Sequence, residues 1–406
     1  VSQVISQKFF LNDLIPAKYK DAIHSIAPRL LSQNNELLSK IFKPIIDITY
    51  LESIAKEIAY RCKHLVIIGT GASSNIPKIL FSLSLQKNFQ IYFLEDADTT
   101  KFESLISKLD PVSTRFLVIT KSGQTVEILA LLSLCLQWAE EKLSLPELKK
   151  IFYFITSKQK DNYVLDIANK LGATIIEHPA FSGRYSFFSS VGLLPATLAG
   201  FDISLILKHS SQCIDNLFVE SSWILDGATY LSSMSRKYHN AVFMTYSSCF
   251  SGLALYLRQL LSESLGKSAK GVNPVMFEGN IDQHSQLQSY LDGLPDKFFT
   301  ILMPNVNLDS NKNFVANRLF DITYLKDKTL SDINQLQINS VTELMLKAKK
   351  NIRIIEVKNF NEKFVAEIVI CFMMETILYA ELNAIDPFTQ TAIETMKHFV
   401  RVAAIE

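Results

Sequence analysis

This chain is poor in cysteine. Its five, Cys62, Cys135, Cys213, Cys249 and Cys371, are scattered through 406 residues without a CxxC. That excludes a disulfide framework and reads as free thiols in a reducing compartment. Excess charge is missing as well, since 41 Lys and Arg face 40 Asp and Glu. No global field draws a polyanion, so charge-driven nucleic-acid binding is excluded and only a local basic pocket remains. The opening stretch VSQVISQKFFLNDLIPAKYKD lacks the basic-then-apolar order of a signal peptide. The longest apolar candidate, SVGLLPATLAGFDISLIL, is broken by Pro195, Gly200 and Asp202, which excludes a membrane span. A soluble, cytoplasmic protein is expected. Neither HxxE nor CxxC occurs, and no metal and no cofactor are expected.

What is present is a globular composition, 48% apolar and 20% charged, long enough for about two domains. Short apolar runs alternate with helical periodicity. HLVIIGTG, FQIYFLE, RFLVITKS, KIFYFITS and ATIIEHP read as buried strands, with helical stretches such as SNIPKILFSLSLQK and TVEILALLSLCLQWAEEKL between them. A second series, NAVFMTYSS, NPVMFEG, KFFTILMPN and IRIIEVKN, follows. Continuous apolar strands separated by helices imply parallel sheets covered on both faces. The predicted fold is α/β: two doubly wound αβα sandwiches with mainly parallel sheets. We divide the chain into a helical segment, 1–45, a first domain, 46–205, and a second, 206–406. Ligands of such domains bind at the C-terminal ends of the strands.

Two loops fall at such ends. In FLVITKSGQTVEILALL a strand stops at Lys121 and a helix begins after Thr125. Unpaired N–H groups and the helix dipole meet there, glycine permits close approach, and hydroxyls add donors. Thr120, Lys121, Ser122 and Thr125 therefore suit a phosphate, although Ser and Thr also cap helices at such places. The second loop, GTGASS, opens a helix after the first strand. Ser74 stands where a dinucleotide fingerprint has its third glycine, and a Walker GK[ST] is lacking. Two hydroxyl-rich loops on neighbouring strand ends suit one phosphomonoester better than a dinucleotide.

Four polar islands follow: SGRYSFFSSVGLLP, RQLLSESLGK, EGNIDQHS and DPFTQTAIETMK. Gln259 and Glu263 are four apart on one helix face, as are Gln390 and Lys397 seven apart with Glu394 adjoining. Taken in order after the two loops, these stretches resemble the phosphoglucose isomerase family, which is built from two sugar-isomerase domains. GTGAS is similar to that family's GIGGS, TKSGQTVE to SKTFTTxE, and SGRYSFFSSVGLLP to GGRxSxxSxxGLLP. QLLSESLGK is similar to QxxxESNGK, EGNIDQHS to NGQHS, and DPFTQTAIETMK to NPFDQxGVExxK. Leu265 and Thr389 depart from the pattern.

The resemblance implies a phosphosugar substrate and interconversion of glucose 6-phosphate and fructose 6-phosphate through a cis-enediol. It assigns Gly71, Ser73, Thr120, Lys121, Ser122 and Thr125 to the phosphate, with Gln259 and Gln390 as further sugar contacts. Arg184 is implied beside the reacting carbons, Glu263 as the base, and His284 with Lys397 as the ring-opening pair. It also implies a homodimer in which His284 crosses into the neighbour's site. The chemistry asks for these groups: one proton moves between C1 and C2, a carboxylate carries it, and a cation steadies the enediolate. The competing readings are a bifunctional phosphoglucose/phosphomannose isomerase and a phosphosugar-binding regulatory module without turnover.

Overall fold

A computed structural model describes residues 4–32, 35–84, 88–219, 222–305, 323–325 and 328–403. Its strands are β1 (Ile5–Phe10), β2 (His64–Ile68), β3 (Gln90–Leu94), β4 (Thr114–Thr120), β5 (Phe152–Thr156), β6 (Thr174–Glu177), β7 (Asn240–Thr245), β8 (Asn273–Glu278), β9 (Lys297–Pro304) and β10 (Ile352–Val357). Contacts divide the chain into two units, one of residues 1–26 and 216–385, the other of 27–215 and 386–406.

The 27–215 unit is built on a five-stranded sheet in the order β3-β2-β4-β5-β6, with every pair parallel. All seven residues of β4 are buried, as the unbroken apolar run requires of a central parallel strand. Phe116 stacks on Phe152 at 4.6 Å between ring centres, joining β4 to β5 through one of the larger packing contacts of the core. The SVGLLPATL stretch forms a helix, Ser190–Leu198, with eight residues buried. It packs against the helices Ile48–Ala59 and Ala72–Leu83. Gly192 lets the helix start close on the preceding turn, because a Cβ there would meet the Phe187 carbonyl oxygen at 2.0 Å. Much of the GLLP signature is thus packing. The helix predicted over SNIPKILFSLSLQK runs from Ala72 to Leu83; its last three predicted residues lie outside the described ones.

The other unit holds the sheet β1-β10-β9-β7-β8, parallel except that β1 pairs antiparallel with β10. The helical expectation for the start of the chain holds at Ala17–Leu30 and Glu36–Phe42 but not at Ile5–Phe10. That segment is an edge strand, settled by pairing with residues about 350 positions away rather than by its own periodicity. The Glu362–Leu382 helix is buried along nearly its whole length. It lies against the helices Trp223–Met234 and Ser251–Leu265. Such an all-round burial is why its sequence shows no polar face.

One ion pair sits inside this unit. Arg353, on β10, donates to both Glu375 oxygens at 2.9 and 2.6 Å and to Gln7 of β1 at 2.9 Å. A buried pair of this kind is stable only while its geometry and its other hydrogen bonds are complete. Gly227 leaves room for it, since a Cβ there would stand 1.9 Å from Glu375 Oε1 and 2.4 Å from Arg353 Nη2. We predict that Gly227→Ala lowers unfolding free energy by about 3 kcal/mol or more by displacing the pair. Urea denaturation that leaves the midpoint unchanged would show that the pair tolerates the methyl group.

Candidate active site

In the 27–215 unit the strand order reverses between β2 and β4: β3 follows β2 on one side, and β4 returns to the other. Ligand crevices of doubly wound sheets open at this point, beyond the strand ends. Both hydroxyl-rich loops lie there. Gly71 starts the Ala72–Leu83 helix at φ 59, a conformation suited to glycine. Ser74 is buried and donates to Glu95, so it serves the interior, whereas Ser73 is half-buried at the loop.

The second loop settles the capping question. Thr125 occupies the N-cap of the Val126–Glu140 helix, yet its side chain makes no capping hydrogen bond. Thr120 Oγ1 accepts from Gly123 N at 3.3 Å and Ser122 Oγ accepts from Gln124 N at 3.4 Å, long bonds that shape the turn. Lys121 is half-buried. Burial holds its ammonium below the ordinary lysine range; Glu394 opposes that effect and Lys397 adds to it. A partly desolvated ammonium beside helix N–H groups is suited to an oxyanion.

Arg184 is fully buried, and its guanidinium reaches three groups of one segment: Gln390 Oε1 at 2.8 Å, Pro387 O at 2.6 Å and Thr389 O at 2.8 Å. Tyr185 adds a ring contact to Phe388 at 5.0 Å. The segment then becomes the Thr391–Ala403 helix; Gln390, just before it, and Lys397, within it, both turn to Glu394, at 3.2 and 3.4 Å. Burial favours the protonated Glu394, but the Gln390 hydrogen bond and the charges of Lys397 and Arg401 prevail and hold its carboxyl below the ordinary range. Three separated stretches of sequence thus meet in this unit: the Lys121 loop, the Arg184 turn and the Gln390–Lys397 helix.

In the other unit Gln259 Nε2 donates to Glu263 Oε1 at 2.8 Å along the Ser251–Leu265 helix, and both side chains are half-buried. Leu265 is completely buried, so this departure from the motif adds to the core. The GNID turn after β8 is organised by Asp282, whose carboxylate accepts from Glu278 N at 2.7 Å and Ser285 Oγ at 3.0 Å. Gly279 at its start comes so near β7 that a Cβ would stand 2.7 Å from Thr245 O. His284, one turn on, is exposed. Among the described residues no group of three or more His, Cys, Asp or Glu could hold a metal ion, and no helix is long and apolar enough to cross a membrane.

The family model for phosphoglucose isomerase matches residues 23–281. The chain belongs to the phosphoglucose isomerase family. It is 31% identical over 249 residues to the glucose-6-phosphate isomerase of Campylobacter jejuni, spanning 59% of this chain and 60% of that enzyme. To that of Methanocaldococcus jannaschii it is 27% identical over 378 residues, 89% and 90% of the two chains. The fold is that of a hypothetical protein from Thermus thermophilus, with a TM-score of 0.89 at 24% identity, covering 99% of this chain and 100% of that one. It is also that of a glucose-6-phosphate isomerase from Chlamydia trachomatis, with a TM-score of 0.72 at 18% identity over 95% of this chain and 78% of that one.

Sequence reasoning missed two residues around this phosphoglucose isomerase loop. Asn162 is buried beneath Gly123, donating to Thr156 Oγ1 and Ser157 O, both at 2.8 Å, while its Oδ1 accepts from Leu165 N at 2.9 Å. His178, just past the end of β6, is buried and donates from Nδ1 to Pro179 O at 2.9 Å. Its position on a third strand end was the available signal. Burial pushes its pKa down to about 4; the Pro179 hydrogen bond opposes this and the Lys121 ammonium adds to it. The unfolded imidazole takes up its proton near the usual value of about 6.5. The folded state does so only near 4, so stability falls as pH drops between those values, by about 3 kcal/mol in all. We predict that His178→Gln removes this loss. Denaturant midpoints at pH 7 and pH 4 in both proteins measure it, and an equal loss in the variant would clear His178 of responsibility.

Proposed function

We propose that this protein interconverts glucose 6-phosphate and fructose 6-phosphate by moving one proton between C1 and C2 through a cis-enediol. The observation that supports it best is the meeting of the Lys121 loop, Arg184, Gln390 and Lys397 in one unit of a phosphoglucose isomerase family member. The phosphate is the handle. Lys121, the hydroxyls of Ser73, Thr120, Ser122 and Thr125, and the backbone at Gly71 hold the unreactive end of the sugar, so binding energy orients the carbons that react.

In this reading Glu263 takes the C2 proton and returns it to C1, and Gln259 fixes the carboxylate through the hydrogen bond between them. Arg184 is preorganised by Pro387 and Thr389 carbonyls, which hold the guanidinium in place before negative charge develops on the enediolate oxygens. His284 and Lys397 open the sugar ring, and the Glu394 carboxylate keeps Lys397 in a fixed place beside the Lys121 loop. We infer a homodimer, for which the exposed His284 is available to a neighbouring copy. A cytoplasmic setting suits the five free cysteines.

The test couples fructose 6-phosphate turnover to NADP reduction by glucose-6-phosphate dehydrogenase. Glu263→Gln should lower turnover at least about a hundredfold while phosphosugar affinity stays within a few-fold, as loss of a general base requires. Affinity and turnover falling together would make Glu263 structural. Lys121→Ala should raise the KM for fructose 6-phosphate, and an unchanged KM would remove the loop from the phosphate site. A wild type that binds fructose 6-phosphate without turning it over would be a sensor.

A further inference from the structure

The Thr391–Ala403 helix carries Lys397 and its partner Glu394 of the proposed site, yet it has no buried residue. Met396, Phe399 and Val400 are 46, 65 and 38% exposed, so hydrophobic burial does little to seat it in the chain. Its position therefore depends on polar contacts. At its start, Arg184 grips the segment before it through the Pro387 and Thr389 carbonyls and the Gln390 side chain. Near its far end, the Arg401 guanidinium donates to Gln124 Oε1. Gln124 belongs to the phosphate loop, and its other amide atom, Nε2, donates to Asp161 O at 2.7 Å. The Gln124 amide is thus used on both sides, one facing the loop after β5 and one facing the helix. Between the two anchors, Glu394 and Lys397 lie near enough for their charges to act on the Lys121 ammonium, and Arg401 acts likewise on Glu394.

We propose that Arg401 is a positioning residue: by donating to Gln124 it seats the Thr391–Ala403 helix against the phosphate loop and so fixes where Lys397 stands. This rests on the isomerase reading only in the role given to Lys397. Without Arg401 the helix loses the polar anchor near its far end, and Lys397, two turns from the Arg184 anchor, loses its place. The step that suffers is ring opening. Binding of an open-chain phosphosugar acid, which needs no ring opening, does not.

Two readouts test this in the full-length protein. Hydrogen–deuterium exchange over 391–403 should be faster in Arg401→Ala and in Gln124→Ala than in the wild type, and unchanged exchange in either would overturn the proposal. In the coupled assay, Arg401→Ala should lower kcat for fructose 6-phosphate about tenfold while 6-phosphogluconate affinity stays within about twofold. Arg401→Lys should recover part of kcat. The Gln124→Ala/Arg401→Ala double variant should be no worse than the worse single one, since both remove one contact. Losses that multiply, or a kcat equal to wild type in Arg401→Ala, would sink it. A wild type without turnover would refute the isomerase reading instead, and the exchange measurement would still decide whether Arg401 seats the helix.

Discussion

The contact between Gly123 and Asn162 is the constraint on which the Lys121 loop depends. A Cβ at Gly123 would stand 1.6 Å from Asn162 Oδ1. The backbone there adopts φ 63, and Asn162 is held by three hydrogen bonds of its own, to Thr156, Ser157 and Leu165. Glycine is required on two independent counts, space and conformation. The outcome is a turn with a fixed shape. Ser157 Oγ donates to the Lys121 carbonyl at 2.6 Å, so the loop after β5 supports the Lys121 loop at Lys121 as well as at Gly123. Hydroxyls and N–H groups at a helix start bind an oxyanion well only if they are aimed in advance. The aim is set by residues that need never touch the ligand.

Topology explains why this support is where it is. In a sheet ordered β3-β2-β4-β5-β6, β5 is the neighbour of β4 on the side away from the reversal. The end of β4 therefore lies between the reversal, toward β2, and a polar shoulder toward β5. Asn162, Ser157 and, past β6, His178 make up that shoulder. They are buried and satisfied by their own neighbours, and His178 stays neutral because a charged imidazole there would lose hydration and face Lys121. In the proposed reading, Lys121 and a set of aimed dipoles hold the phosphate, with His178 behind them kept neutral.

How much of this could be read from the sequence follows from the range of each interaction. The strands were legible because parallel, doubly covered strands are apolar without interruption, as β4 and β5 are. The loops were legible because glycine and hydroxyls at a strand-to-helix junction have few other uses, and the missing cap at Thr125 removes the commonest of them. Ile5–Phe10 was not legible as a strand: its partner β10 lies at the other end of the chain, and its burial alternates poorly. Asn162, His178 and Arg401 were illegible for a related reason. Asn162 acts on Gly123, 39 positions away, Arg401 acts on Gln124, 277 positions away, and His178 takes its character from burial beside Lys121. Nothing in their local sequence distinguishes them from a helix cap, a loop histidine and a surface arginine.

The motif departures take on a physical meaning in this light. Leu265 replaces a polar residue just beyond the Gln259–Glu263 pair on the same helix, and its side chain is wholly within the core. It cannot alter the carboxylate by contact with solvent or ligand, only by packing under the helix that carries it. Thr389 gives Arg184 its carbonyl, a group that every residue type supplies. The substitution therefore leaves the guanidinium's three contacts in place, since Pro387 and Gln390 complete them. Both departures fall where the backbone or the core does the work. The positions that the proposed proton transfer uses, Lys121, Arg184, Glu263, Gln390 and Lys397, keep the residue types which that reading assigns to them.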